Sequence, residues 1–320
     1  MNILILSAGT RNKIVQYFKK ELNGKGNVVA TDCSNLAPAI YEADKFYIVP
    51  RIDADNYIDI ILDICQKEKI DTLISLIDPE LSLIAKNIEK FKAIGVNPVI
   101  SDYDKVEMCF NKYEMYKFLI NNNFKTAKSY INKEEFYKDL EDGKITFPVF
   151  VKPVTGSASI NINKITSKEE LEVLWKMSDP LIIQEFMNGQ EYGIDTYIDM
   201  ISKETVLIFL KKKLKMRAGE TDKALSVKNE KLFKLIKEFV EKAGFVGIID
   251  IDVFEVDGEY YISEVNPRFG GGYPFAYETG ANVPKMIINN ISGKINTSEI
   301  GKYKENVAMM KYSEIKVVEE

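Results

Sequence analysis

The chain opens with short, continuously apolar runs separated by segments whose apolar residues recur every three or four positions. Residues 2–6 read as a buried strand, followed by Ser7, Ala8, Gly9 and Thr10 and a helical pattern over residues 13–22. Further strand-like runs occupy residues 28–30, 45–49 and 71–76, with a helical period over residues 55–67 between the last two. Alternation of this kind predicts an α/β fold, a parallel, doubly wound sheet with helices on its faces. The turn after the first strand carries one glycine, Gly9, and not the spacing of a dinucleotide fingerprint. Near residues 99–104 the pattern changes. A helix is expected over residues 108–121, then hairpins and short helices, which places a domain boundary at about residue 108.

The most informative pattern comes late. Residues 248–255 and 259–268 are two strand-like runs joined through Val256, Asp257 and Gly258. Glu264 and Asn266 are two apart and share a face of their strand. Whether Asp252 joins them depends on register, because a slip of one residue moves every side chain to the other face. A two-residue turn at Asp257-Gly258 pairs Asp252 with Ser263, on the wrong face. A three-residue loop, Val256 to Gly258, pairs Asp252 with Ile262 and gathers Asp250, Asp252, Glu264 and Asn266 on one face. The three-residue loop is the expectation. Two carboxylates and a carboxamide oxygen on one face suit Mg²⁺, with Mn²⁺ as a substitute, because such ions take hard oxygen ligands and share their shell with phosphates and water. Arg268 follows at once, beside the position of a terminal phosphate.

Three other segments carry candidate chemistry. Lys152 ends the run 147–153 and precedes Gly156, Ser157, Ala158 and Ser159. Small residues let backbone N–H groups approach an anion that the lysine neutralises; a snorkelling lysine before an ordinary turn is the plainer reading. Glu185, Phe186 and Met187 close an apolar strand ahead of a turn and Glu191. Such a hinge suits a flat purine, with Glu191 accepting from ribose hydroxyls, and equally suits a plain hairpin. Lys211, Lys213, Lys215 and Arg217 share one face if their segment is a strand, either as a solvated edge or as one wall of a polyanion site. Arg217, at the strand's end, is the candidate for contact with a transferring phosphoryl group.

Composition narrows the chemistry. The 320 residues exceed one typical core, so two or three structural units are expected. A net charge of -5 argues against nucleic acid as a main partner. No apolar stretch is long enough to span a bilayer, and residues 1–10 lack the basic lead-in of a signal peptide. The three cysteines are widely spaced and form no metal-binding pair, which fits a reducing, cytoplasmic setting. There is no histidine. Ser-His-Asp triads, Cys-His pairs and His-ligated zinc are therefore excluded.

Taken in order, Lys112, the 147–153 run with Lys152, Gly156 to Ser159, Glu185 to Met187, Glu191, Asp252 and Glu264 to Arg268 resemble the ATP-grasp superfamily. The closest likeness is to single-module proteins similar to the carbamoyl-phosphate synthase large subunit, over essentially the whole chain. The resemblance implies a pre-ATP-grasp α/β domain over residues 1–108 and an ATP-grasp domain over residues 109–320, with a lid at about 124–187. It implies that Lys112 and Lys152 contact ATP phosphates and that Gly156, Ser157, Ala158 and Ser159 form a loop closing over them. Glu185, Phe186 and Met187 would hold adenine, and Glu191 the ribose. Asp252, Glu264 and Asn266 would carry Mg²⁺, while Arg217 and Arg268 steady the phosphoryl group. The implied reaction is carboxylate–amine ligation through an acyl phosphate, with small-molecule acid and amine substrates and ADP and phosphate released; a homodimer is compatible with it. Asp252 stands where a longer Glu or Gln is usual, which leaves open whether Asp250 or Asp252 is the metal ligand. A single module makes carbamoyl-phosphate synthesis itself unexpected. Other readings are a kinase-like enzyme that phosphorylates a carboxylate or carbamate, and a regulatory module that binds nucleotide without turnover. Asp78 and Glu80, after the fourth strand, suit either an amine site or helix capping.

Overall fold

The computed structural model describes residues 1–156, 162–177, 180–217 and 219–319. Its first sheet holds β1 (Ile3–Leu6), β2 (Val28–Asp32), β3 (Lys45–Ile48) and β4 (Thr72–Ser75) in the order β3-β2-β1-β4, all parallel. The helices α1 (Asn12–Leu22), α2 (Tyr57–Lys67), α3 (Asp78–Lys86) and α4 (Ile88–Ala93) accompany it. Ile3 and Ile5 pack into one apolar cluster while Leu4 and Leu6 pack into another, so β1 is covered on both faces. This is why its sequence reads as an unbroken apolar run.

The helix expected over residues 108–121 is two helices, α5 (Tyr103–Phe110) and α6 (Lys112–Asn121). Asn111 breaks them: its backbone is extended and its side chain accepts from the N–H groups of Tyr113 and Glu114, the geometry of an N-cap. The break turns Lys112 toward the next unit. That unit is a four-stranded sheet of β5 (Ser129–Tyr130), β6 (Val149–Pro153), β7 (Asn163–Ile165) and β8 (Leu181–Glu185), flanked by α7 (Lys133–Glu141) and α8 (Lys168–Met177), with its own apolar core.

The third unit is a six-stranded sheet in the order β13-β12-β9-β10-β11-β14. It consists of β9 (Gln190–Ile198), β10 (Thr205–Arg217), β11 (Glu220–Val227), β12 (Gly247–Val256), β13 (Glu259–Asn266) and β14 (Ala308–Met310). Helices α9 (Glu230–Ala243), α10 (Tyr273–Thr279) and α11 (Val283–Ile291) complete it. Its core is continuous with one face of the first sheet, through Ile3, Ile5, Ile194 and Phe209 in one cluster.

The β12–β13 hairpin departs from expectation in an instructive way. The loop is the two-residue turn Asp257-Gly258, with Val256 paired to Glu259 and both turn residues at positive φ (50° and 77°). That is the turn geometry that Asp-Gly favours. The three-residue loop, and with it the pairing of Asp252 with Ile262, is incorrect. The register is instead shifted by a bulge between Asp252 and Val253, where Ser263 is the extra residue. Beyond the bulge Asp252 pairs with Glu264 and Asp250 with Asn266, so the four polar residues do share a face.

Candidate active site

The polar face of β12 and β13 forms one wall of a cavity of about 190 Å³, lined by Asp250, Asp252, Glu264, Asn266, Lys211, Lys213 and Arg268, with Arg11 and Gly271 also in the lining. Two lysines of β10 reach it across β9. Lys211 meets Asp195 at 2.5 Å and Asp250 at 3.9 Å, and Lys213 meets Glu191 at 2.6 Å and Asp252 at 2.7 Å. Gly193 lies between Lys211 and Asp252 in the strand pairing. A Cβ there would stand 2.6 Å from the Lys211 side chain, so the crossing requires glycine. Burial works against the Lys213 charge, but Asp252 and Glu191 outweigh it and hold its pKa above the usual lysine value. Burial raises the Glu191 pKa and drives Asp250 up to about 7.

The cationic row foreseen along this strand ends at Lys213. Register shifts around Lys215 break the alternation, leaving Lys215 and Arg217 exposed. The Arg217 guanidinium turns to Asp222 at 3.1 Å and stays outside the cavity lining. The guanidinium expected to meet a phosphoryl group pairs here with Asp222, and Lys213 is the last cation of β10 in the cavity lining. Sequence reasoning grouped Lys213 with its neighbours; its signal was the companion Gly193, the gap that lets a lysine cross the sheet.

Arg268, whose side chain is 11% exposed, faces the N-terminal unit. Its Nε donates to Asp78 Oδ2 at 3.0 Å and a terminal nitrogen stands at the same distance, while Asp250 lies 3.8 Å away. Burial opposes this charge, and Asp78 and Asp250 outweigh it, raising the Arg268 pKa. Asp78 neither caps α3 nor stands open to an amine. Glu80 is fully buried and accepts from Ser7, Tyr57 and Ser75, so it belongs to the first unit's interior.

Lys112 and Lys152 stand near the acidic face, Lys152 within the fields of Glu264 and Asp252 and Lys112 within that of Glu264. Lys152, on β6, is buried, and among the described residues it makes no ion pair or hydrogen bond through its ammonium. Lys112 donates to the Gly156 carbonyl at 2.6 Å and, among the described residues, meets no carboxylate. Burial, with Lys152 as a like charge nearby, lowers the Lys112 pKa to about 8. Gly156 has φ 104°, a conformation that suits glycine. Ser157, Ala158 and Ser159 lie outside the described residues.

At the expected adenine hinge, the Glu185 carboxylate accepts from the Lys128 N–H at 3.1 Å, and the Glu185 N–H donates to the Lys128 carbonyl. Phe186 packs against Phe150 with ring centroids 5.3 Å apart, and Lys164 lies over its ring. Met187 is half-buried. Glu191 sits within the lysine–carboxylate ladder rather than at the hinge.

The oxygen-rich face fits a hard cation. Asp252 and Glu264 are directly opposed, Asn266 is two pairs further along on the same face, and all three line the cavity. Asp250 is enclosed, since a Cβ on Gly270 would stand 2.3 Å from its Oδ1. Among the described residues no group of three or more His, Cys, Asp or Glu side chains is placed to hold a metal alone. That agrees with Mg²⁺, which commonly takes one or two carboxylates and completes its shell with substrate phosphates.

Residues 3–100 match the family described as "PylC-like, N-terminal domain", and residues 109–272 match the ATP-grasp domain family. The chain is 24% identical over 295 residues to the carbamoyl phosphate synthase large chain of Clostridium botulinum, covering 82% of this chain and 26% of that one. It therefore spans about a quarter of that relative's length. The phosphoribosylamine–glycine ligase of Fusobacterium nucleatum is 26% identical over 92% of this chain and 74% of its own. In fold, the chain resembles N5-carboxyaminoimidazole synthetase of Staphylococcus aureus complexed with ADP. The TM-score is 0.74 at 15% identity, over 93% of this chain and 78% of that one.

Proposed function

Since this chain belongs to the ATP-grasp family, we propose that it is an ATP- and Mg²⁺-dependent carboxylate–amine ligase working through an acyl phosphate. The observation that carries this reading is a pair of cations without carboxylate partners among the described residues, Lys112 and Lys152, both within the field of Glu264 on the oxygen-rich wall of Asp252, Glu264 and Asn266. A buried ammonium without a counter-ion is costly. A polyphosphate between the walls would neutralise the lysines, and Mg²⁺ on Asp252, Glu264 and Asn266 would offset the charge of the phosphate oxygens. Lys213, held between Glu191 and Asp252, is placed for the terminal phosphoryl group, and Arg268 for the acid.

The chemistry then needs no histidine. A carboxylate oxygen of the acid attacks the γ-phosphorus, the bond from that phosphorus to the β–γ bridging oxygen breaks, and ADP leaves. An amine attacks the acyl carbon, loses a proton, and phosphate departs. Positioning and fixed charge supply most of such catalysis. A reducing, cytoplasmic setting belongs to the same reading: Cys33, Cys65 and Cys109 are all free thiols, and no helix among the described residues is long and apolar enough to cross a membrane.

Incubation with MgATP and pools of acids and amines tests the proposal. ADP and phosphate should accumulate only when both an acid and an amine are present. Turnover with acid alone would favour a carboxylate kinase, AMP with pyrophosphate would reject the mechanism, and nucleotide binding without turnover in any pool would favour a regulatory module.

A pH dependence also follows. Lys112 has a pKa lowered to about 8 and binds phosphate only when protonated. MgADP affinity is expected to be level below that value and to weaken as pH rises through it, by at most about tenfold per unit for one proton. Calorimetric titration from pH 6.5 to 9.5 measures this. Lys112→Arg, charged throughout, should remove the bend, and a bend that persists in Lys112→Arg would assign it to another group.

A further inference from the structure

One part of the cavity wall is not used by the nucleotide chemistry proposed above. It is built from both halves of the chain: Arg11, on the loop between β1 and α1, meets Glu220, at the start of β11, with 3.5 Å between guanidinium and carboxylate. Gly271 lies beneath them. A Cβ there would stand 2.7 Å from an Arg11 nitrogen and 2.9 Å from a Glu220 oxygen, so the glycine leaves the two head groups a shared floor. The other Glu220 oxygen is anchored by Lys311 at 2.6 Å.

Arg11 is underemployed for a guanidinium in this position. Its side chain is 27% exposed, and among the described residues its guanidinium donates no hydrogen bond; the Glu220 contact is a single long ion pair. Burial disfavours its charge, Glu220 only partly compensates, and Arg268 nearby adds repulsion. Most of a rigid fork of five donors is left for an anion. Arg268 lacks that freedom, being tied to Asp78. At about 190 Å³ the cavity is smaller than most ligand sites, which limits the occupant to a small molecule.

We propose that Arg11 and Glu220 form a subsite for the zwitterionic head of a small amino dicarboxylic acid, Arg11 taking the α-carboxylate and Glu220 Oε1 the α-ammonium. The second carboxylate, directed toward Arg268 and Lys213, is the one that accepts the γ-phosphoryl group as ADP leaves. Arg11 is then a specificity residue, and the N-terminal unit reads the substrate. The inference rests on the ligase reading and adds the class of acid to it.

The test uses the full chain with Mg²⁺ and the non-hydrolysable analogue AMP-PNP, titrated with both enantiomers of aspartate and glutamate and with succinate and glutarate. At least one amino acid should bind saturably, with the matching dicarboxylate at least about tenfold weaker for want of its ammonium contact. Arg11→Ala should weaken that amino acid about 30-fold, the loss of two charge-assisted hydrogen bonds. Arg11→Lys should recover part of the affinity, and MgADP binding should change less than about threefold in either variant. Glu220→Gln should narrow the preference over the dicarboxylate. Equal binding of succinate and aspartate, no binding by any of the four amino acids, or an unchanged affinity in Arg11→Ala would overturn the subsite. Equal losses of amino acid and MgADP would make the Arg11–Glu220 pair a latch between the halves instead. A wild-type chain that fails to bind MgADP sinks the ligase reading itself, a result separate from these.

Discussion

Glu264→Gln is expected to reduce ATP-dependent turnover by about a thousandfold, a barrier increase of roughly 4 kcal/mol. Glutamine keeps the length and shape of the side chain but replaces an anionic oxygen with an amide dipole or an N–H donor. A Mg²⁺ ion that shares its shell between Glu264, Asp252, Asn266 and phosphate loses half of its formal protein charge. The side chain is only half-buried, so folding should be nearly unaffected. Turnover of the variant, measured beside its thermal midpoint, checks both halves of the statement. Unchanged activity would remove Glu264 from the metal site.

Lys152→Met should act in opposite directions on stability and binding. The ammonium is buried on β6 with no carboxylate in contact among the described residues, and burial lowers its pKa despite the fields of Glu264 and Asp252. Without nucleotide it is a desolvated charge held for a ligand. Methionine fills similar volume without that cost, so the thermal midpoint of the free protein should rise by about 2–6 °C. MgADP affinity should fall by about a hundredfold or more, since charge-assisted contacts to phosphate are lost. Calorimetry of the free and nucleotide-saturated forms measures both. A lower midpoint in the free variant would show that Lys152 stabilises the fold instead of storing strain for the ligand.

The first sheet was legible because its strands are covered on both faces and announce themselves as apolar runs between helical periods. The polar face of β12 and β13 was legible too, though the reason given for it was not the operative one. Parity arguments assume a regular ladder, and the bulge at Ser263 is irregular by nature. Nothing in Ser263 itself marks a bulge, so the correct face was reached through the wrong loop. Asn111 was an available signal that was passed over: a capping residue within a helical period splits a helix where its side chain can serve the next turn. The exposure of Arg217 was not legible for a related reason, since the register shifts near Lys215 end the period-two alternation before the strand does. Lys213 and Arg11 illustrate a different limit. Their roles depend on a glycine in a neighbouring strand and on a contact between distant halves, which no local pattern encodes.

The Asp78–Arg268 pair has a consequence for how such a chain can change over generations. Its acid comes from the helix after the last strand of the first sheet, and its guanidinium from the end of the hairpin in the third unit. A recombination that exchanged the first unit for another parallel-sheet module without an acid at that spot would strand a largely enclosed guanidinium beside Asp250. Breaking one partner of such a pair costs roughly 3–5 kcal/mol, a large fraction of a domain's stability. The two halves are therefore not freely shuffled parts: Asp78 and Arg268 bind them into one inherited unit, and new acid specificity is expected to arise by point change around Arg11 and Glu220 before it arises by exchange of whole modules.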